Sequence, residues 1–391
     1  MLYFLKRFTF GILTFILVAY GNTEIFDFEI EQPFAGDTFF NPYQKVSGEY
    51  LKANFHAHSK SWGGLTNGSS AAERVIKAYN DSGYDIAGLS NYHSVSHDFI
   101  PDRNIYIPIY EHGINLQKSH YLVINAQKVL FNDVLLFHTV HSRQSVLNRL
   151  KNLSDLVSIN HPEIRNGHST TELQQLGNYS HIELINGASV ARAHWDSALS
   201  AGKPVWALSN DDVHRISERK FGKSWTAVYT DSEDLNGVLN AMRRGRSLAI
   251  HNKKRESLTK EELFMKPPVP DSISMHGNRL SIVFNSDIES IRLYGQSGKL
   301  KKEVTWARRI DYHFEVNDTY IRAEISDGHF DVFVNPVLRV ENNLKIPSNG
   351  SSASISHFKT FCFRLFLVIT WVLAGVVLFP NTTRRLTPTL Q

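Results

Sequence analysis

The sequence predicts an α/β domain built on parallel strands, followed by a small antiparallel β domain of sandwich type. Three observations carry this. Short apolar runs alternate with helix-like segments across residues 86–244. From about residue 270 the runs shorten and turn signals such as Asn278, Gly298 and Asp327-Gly328 separate them. Residues of metal-ligand type gather where strands of the first part end.

The chain has 391 residues, 42% of them apolar and 20% charged, as in a globular protein with membrane contacts. A net charge of +4 is small for this length and gives no reason to expect a nucleic-acid partner. The single cysteine, Cys362, excludes an intrachain disulfide framework and a cysteine-based zinc site. Any metal must therefore rest on His, Asp and Glu.

The N-terminus reads Lys6-Arg7, then an apolar run from Phe8 to Tyr20, as in a signal peptide or short signal anchor over residues 1–22. Leu365–Phe379 is a second uncharged apolar run, and with Arg364 snorkelling it reads as a transmembrane helix over 358–380. Arg384-Arg385 after it and Lys6-Arg7 before the first run place both ends in the cytoplasm and the body outside it. The sequence thus predicts a membrane-anchored protein with an extracytoplasmic (periplasmic or cell-surface) body. A short apolar tail before arginines also resembles a bacterial sorting signal. Residues 346–357 read as a flexible tether.

Between these ends strands are predicted at Leu51–His58, Ile86–Ser90, Ile105–Tyr110, Tyr121–Asn125, Leu156–Ile159, Ile182–Ile185, Val205–Leu208 and Thr226–Tyr229. Helices are predicted at Ser70–Ser82, Ser142–Leu150, Thr171–Leu176, Ala191–Ala201 and Asp234–Arg244, the fourth stopped by Gly202. The later strands are Arg279–Asn285, Ser290–Gly295, Tyr312–Glu315, Tyr320–Ile325 and Phe330–Val334. This divides the chain into a first domain over 45–255, a linker at Glu256–Pro270 and a β domain over 270–345.

His56 and His58 leave the first strand on one face, because side chains alternate along a strand. Asn91-Tyr92-His93, Glu111-His112, His120, Asn160-His161-Pro162 and Asp211-Asp212-Val213-His214 stand at later strand ends. His and carboxylate groups in this arrangement suit a multinuclear site that turns bound water into hydroxide and polarises a phosphoryl oxygen.

These motifs, in this order, resemble the polymerase and histidinol phosphatase (PHP) family. Trp195–Leu199 with Gly202, Ser224-Trp225 and Arg244-Gly245-Arg246 resemble its branch with a small C-terminal β domain. The resemblance implies a distorted seven-stranded, TIM-like (β/α)7 barrel, two or three divalent metals (Zn, Mn or Fe) and phosphoester hydrolysis. It implies that His56, His58 and Asp212 hold one metal and that Glu111 bridges to a second completed by His120 and His161. His214 belongs to a third site and, with Glu111 and Asp212, forms the catalytic set.

Two positions depart from the family pattern. Asn67-Gly68 stands where the family has Asp-Gly, and Asn91-Tyr92 where it has Asp-His. Both remove third-site ligands, so the expectation is a two-metal enzyme whose third site is weak, rebuilt from His93 and His214, or absent. His93 stands one residue further on, which in a strand would turn it to the opposite face. Tyr92 is a candidate donor to a phosphoryl oxygen, and Arg192, Arg165 and Arg103 are candidates to bind a substrate phosphate. His112, His138, His141, His168, His181 and His194 read as surface or structural. The sequence thus predicts a membrane-tethered phosphoesterase acting on a phosphorylated substrate. Two other readings remain open: a catalytically degraded binding module, favoured by Asn67 and Tyr92, and a metallohydrolase of C–N or C–O bonds.

Overall fold

The computed structural model describes all residues except 30–31, 45–48, 67, 98–104, 188, 344, 351–352 and 381–391. Asn67, Arg103 and Arg384-Arg385 lie outside the described residues. The chain opens with helix α1 (Leu2–Gly21), strands β1 (Phe26–Asp27), β2 (Thr38–Phe40) and β3 (Leu51–Asn54), helix α2 (Ala72–Asn80) and strand β4 (Ile86–Ala87). There follow β5 (Ile109–His112), β6 (Tyr121–Ala126), α3 (Val140–Lys151), β7 (Ser154–Ile159), α4 (Thr170–Gln175), β8 (His181–Asn186) and β9 (Ser189–Val190). Next come α5 (Arg192–Ser200), β10 (Trp206–Asn210), β11 (Ser224–Val228), α6 (Leu235–Arg243), β12 (Ser247–Asn252) and α7 (Lys260–Leu263). The last elements are β13 (Ser272–His276), β14 (Arg279–Gly295), β15 (Lys299–His313), β16 (Tyr320–Ser326), β17 (Phe330–Val340), β18 (Ser354–Ile355) and α8 (His357–Leu378).

Local chemistry accounts for the helix ends. Thr139 caps α3 by accepting from Ser142 N–H, Ser169 and Glu172 form a capping box on α4, and Asp234 caps α6 by accepting from Gly237 N–H. Helix α6 buries Val238, Leu239, Ala241 and Met242 along one face. After α5 the chain turns at Gly202 (φ +74°), where a Cβ would come within 2.0 Å of the Gln32 carbonyl oxygen.

The protein is a mixed α/β structure with several sheets. One runs β10-β8-β7-β6-β5, with β9 added to β8. Its strands β7, β8 and β10 are parallel, whereas β5, β6 and β7 pair antiparallel. The antiparallel turn at β5–β6 departs from the parallel expectation. Residues 113–120 are too few to carry a crossover helix back across the sheet, so β6 returns beside β5. A second sheet runs β13-β14-β16-β17-β12-β11-β3-β4, with β15 on β14 and β2 on β17. Two isolated parallel bridges, Ala57 with Val213 and Tyr92 with Glu111, link the chain beyond β3 to the chain beyond β10 and the chain beyond β4 to β5.

Strand β17 pairs with β12, so one sheet continues from the C-terminal strands to β3 and β4. Trp225, Ile250 and Val332 pack in one apolar cluster with Ile282 and Ile291. Strand β14 is a single bent strand where two were expected, its register shifting between Val283 and Ile288. Of strand β15 only the end, at Tyr312-His313, was expected, because Lys, Glu and Arg residues hide any apolar alternation over the rest.

Helices α1 and α8 are long and apolar enough to cross a membrane. They lie against one another. The Phe10 and Trp371 rings stack with centroids 5.2 Å apart, and Trp371 Nε1–H donates to Thr14 Oγ1 at 2.8 Å. Just outside them, β1 and β18 pair antiparallel.

Candidate metal centre

Beyond β3 the chain runs extended past the end of β10. Asp212 N–H donates to the His56 carbonyl (2.9 Å) and His58 N–H to the Val213 carbonyl (2.8 Å). This lattice turns His56 and His58 to one side and brings Asp212 beside them. His56 Nε2, His58 Nε2 and Asp212 Oδ1 form a triangle with every edge 3.3 Å.

Glu111 enters from β5. Its backbone is held by Asn91 and His93, since Glu111 N–H donates to the Asn91 carbonyl and His93 N–H to the Glu111 carbonyl. Glu111 Oε1 lies 3.4 Å from His56 Nε2, and Oε2 lies 3.3 Å from His58 Nε2. On its other side Oε1 meets His120 Nδ1 at 2.9 Å and His161 Nε2 at 3.1 Å. His120 opens β6, whose antiparallel course puts its start beside the end of β5, and His161 follows β7.

His214 lies on the outer side of His58. Their rings stack at 4.3 Å, and His214 Nε2 is 3.6 Å from Asp212 Oδ1. Four overlapping ligand sets result: His56–His58–Glu111, His56–His161–Asp212, His58–Asp212–His214 and Glu111–His120–His161.

The donor set fits divalent metals. A point about 2 Å from each corner of a triangle with 3.3 Å edges lies close to its plane, and 2.0–2.2 Å is the ordinary reach of zinc to His and carboxylate. Among the described residues no hydrogen bond reaches Glu111 Oε2 or His161 Nδ1, although both are buried. Imidazole and carboxylate without thiolate suit zinc, manganese or iron.

The charges make the same demand. Glu111, Asp212 and Glu183 are all buried and converge on the same site. Burial opposes a proton on His56, but Asp212, Glu183 and Glu111 outweigh it and hold the imidazolium well above its ordinary range. His58 is raised by the same balance, burial against Asp212 and Glu111. Burial favours neutral acids, yet His120 and His56 hold Glu111, and His56 and His58 hold Asp212, well below the usual carboxylate range. A bound cation would replace the protons that the two histidines otherwise carry.

No family model matches the chain, and no curated protein matches it. It is similar to the solved structure of a two-domain protein from Bacteroides vulgatus containing a predicted PHP-like metal-dependent phosphoesterase. The identity is 15% and the TM-score 0.40, over 84% of this chain and 99% of that one.

The structure thus brings His56, His58, Glu111, His120, His161, Asp212 and His214 together. The adjacent aspartates part company. Asp211 accepts the N–H groups of Gly222, Lys223 and Ser224 and pins the start of β11, and burial pushes its carboxyl up to about 6. Tyr92 lies over the site, stacked on His58 at 4.7 Å and edge-on to His120. Burial, then the Glu111 charge, raises its phenol far above the ordinary value.

His93 is not in the cluster. Its backbone takes φ +46°, its Nδ1 faces the Leu130 carbonyl at 2.8 Å and its Nε2 accepts from Gly113 N–H at 3.1 Å. A third site rebuilt with His93 is therefore not what the structure forms. Arg192 also lies elsewhere: it pairs with Glu324 at 3.0 Å and covers the Phe333 ring. Arg165 sits on a 3-10 turn after His161 with φ +53°. A cavity of about 770 Å³ lined by Tyr50, Trp225 and Phe284 contains none of the clustered residues.

The sequence reading missed Glu183. It is buried in β8, with Oε1 2.9 Å from His56 Nδ1 and Oε2 accepting from His161 N–H at 2.9 Å. Asn186 and Asn210 also donate to it. A carboxylate in the middle of an otherwise apolar strand, Ile182-Glu183-Leu184-Ile185, was the available signal.

Proposed function

We propose that this chain is a metal-dependent phosphoesterase with two divalent ions, tethered by α1 and α8 with its body outside the cytoplasm. The observation that carries the reading is Glu111. Its Oε1 faces His56, His120 and His161 and its Oε2 faces His58, so one carboxylate reaches both groups of histidines, as a carboxylate shared by two metals would. His56, His58 and Asp212 would hold one ion, and His120 and His161 the other. Ions held in this way lower the pKa of water and polarise a phosphoryl oxygen.

The remaining groups do their work as side chains. Glu183 fixes the His56 ring so that Nε2 faces the cluster. His214 is neutral near pH 7, since burial and the neighbouring His58 push its imidazole down to about 3, and it offers a proton acceptor at the rim. Tyr92 keeps its hydroxyl proton at all working pH values and is the donor for a phosphoryl oxygen. Lys118 Nζ, 5.6 Å from the Tyr92 ring centroid, adds positive charge at the mouth.

The distorted seven-stranded barrel is part of this proposal. Strands β3 to β8 and β10 supply seven staves, and the two isolated bridges lie where the two sheets would meet. Lys6-Arg7 ahead of the apolar part of α1 supports a cytoplasmic N-terminus. A second reading, a metal-binding module without turnover, is favoured by the Tyr92 ring lying over His58.

Metal analysis of the purified chain, with a panel of phosphomonoesters and phosphodiesters, tests the proposal. The expected result is about two transition-metal ions per chain and cleavage of at least one ester class. Folded protein that takes up no metal sinks the assignment, and metal uptake with no turnover across the panel favours the second reading.

A further inference from the structure

Next to the candidate centre the protein exposes a group of large apolar side chains, most of them on two segments that are tied together. Trp62, Ile114, Leu116, Phe131, Leu135 and Phe137 are each between 45 and 66% exposed. They are not on slack loops. Asp133 accepts from Ile114 N–H (2.8 Å) and Asn115 Nδ2 (3.2 Å) and pairs with His138 Nε2 (3.1 Å), while Gln117 Oε1 accepts from His138 N–H (2.6 Å). The buried histidines His93 and His112 both face the Leu130 carbonyl. Segments 113–118 and 130–138 are thereby tied to each other, with their apolar residues outward.

This rim connects to two other parts of the molecule. On one side, Tyr20 at the end of α1 donates its hydroxyl to the Phe137 carbonyl (2.8 Å) and accepts from Phe137 N–H (3.2 Å). A tyrosine at the end of a membrane-length helix marks the headgroup level. On the other side, Phe131 meets Trp62 with centroids 6.3 Å apart. Trp62 Nε1–H donates to the Tyr92 carbonyl at 2.7 Å, and the Tyr92 ring lies on His58. The path from the end of α1 to the candidate metal ligands thus follows the rim, and Lys118 stands at the mouth.

We propose that this rim lies in the headgroup layer of the membrane that α1 and α8 cross, and that the substrate is a phosphoester carried by a membrane lipid. The substrate assignment rests on the phosphoesterase reading above. In the reaction the oxygen of water bonds to phosphorus, the bond from phosphorus to the lipid's ester oxygen breaks, and the departing oxygen takes up a proton. Water is the only other reactant.

The test uses the full chain in phosphatidylcholine vesicles. Dioleoyl phosphatidic acid and dioleoyl phosphatidylglycerol are the lipid probes, and glycerol 3-phosphate and bis(p-nitrophenyl) phosphate the soluble ones. A fluorophore on Leu135→Cys in a Cys362→Ser background reports depth through quenching by brominated lipids, with Val316→Cys, in the β domain, as the control. The expected results are quenching at 135 but not at 316, and kcat/KM for one lipid probe at least about tenfold above its soluble counterpart. No quenching at 135 overturns the placement of the rim. Cleavage of soluble esters with no preference for lipid overturns the substrate assignment and leaves the phosphoesterase reading standing. Failure to cleave any ester overturns that reading and the substrate with it, while quenching still decides the rim.

Discussion

Glu183 Oε1 lies 2.9 Å from His56 Nδ1, and neither side chain has any contact with solvent. The carboxylate accepts the Nδ1–H hydrogen bond, which turns Nε2 toward Glu111 and Asp212. Glu183→Gln keeps the shape but removes the charge and weakens the hold on the ring. It should lower zinc affinity by about 10- to 100-fold, read by competition with a chromogenic chelator. An unchanged affinity would show that His56 needs no such partner.

Most of the residues that the fold gathers into the candidate cluster were legible in the sequence because strand ends announce themselves. His56-Ala57-His58, Asn160-His161-Pro162 and Asp212-Val213-His214 are short polar groups directly after apolar runs. Glu183 was not legible, because it lies inside a strand, and what makes it part of the site is the distant His56. Arg192 misled for the opposite reason. An arginine at a helix start looks free in sequence, but its partner Glu324 comes from β16, 132 residues away. The mixed sheet was hidden too, since only the short span between β5 and β6 marks the reversal.

Metal uptake should release protons. His56 and His58 titrate above the ordinary imidazole value of about 6.5 in the ion-free protein, because burial is outweighed by Asp212, Glu183 and Glu111. Their protons must leave before Nε2 can bind a cation. Affinity should therefore rise with pH through the neutral range, with roughly one to two protons released per chain near pH 7. Calorimetry of zinc binding in buffers of different ionisation enthalpy measures this directly. Zero release at pH 7 would contradict the charge balance described for the site.

The metal-loaded protein should lose stability on acidification. Burial lowers the imidazoles of His112 and His181 to about 3, whereas in the unfolded chain each takes a proton near 6.5. A lowered pKa means that the unfolded state binds more protons once the pH drops below 6.5. Stability is then fully present above that value and is lost as the pH falls toward 3. Each group contributes about 1.4 kcal/mol of loss per pH unit in that window. His181→Gln should flatten the curve of unfolding free energy between pH 6.5 and 4.5 by about that amount per unit. A variant curve parallel to the parent's would rule out His181 as a contributor.

Arg322 should be among the most costly residues to truncate. It comes from β16, is almost wholly buried, and holds both oxygens of Asp196 on α5 at 2.7 Å and Glu324 at 2.6 Å. Its guanidinium also covers the Trp195 and Tyr294 rings. Two carboxylates surround one fork-shaped cation, an arrangement lysine cannot reproduce because it offers a single point charge. Arg322→Ala would leave the buried Asp196 without its counter-charge and open a void between the rings. The expected cost is about 3–5 kcal/mol in urea unfolding, with Arg322→Lys recovering part of it. Zinc content of the folded fraction should stay unchanged, since none of these groups belongs to the ligand sets. A loss under about 1 kcal/mol for Arg322→Ala would mean that water or Arg192 compensates Asp196 and Glu324.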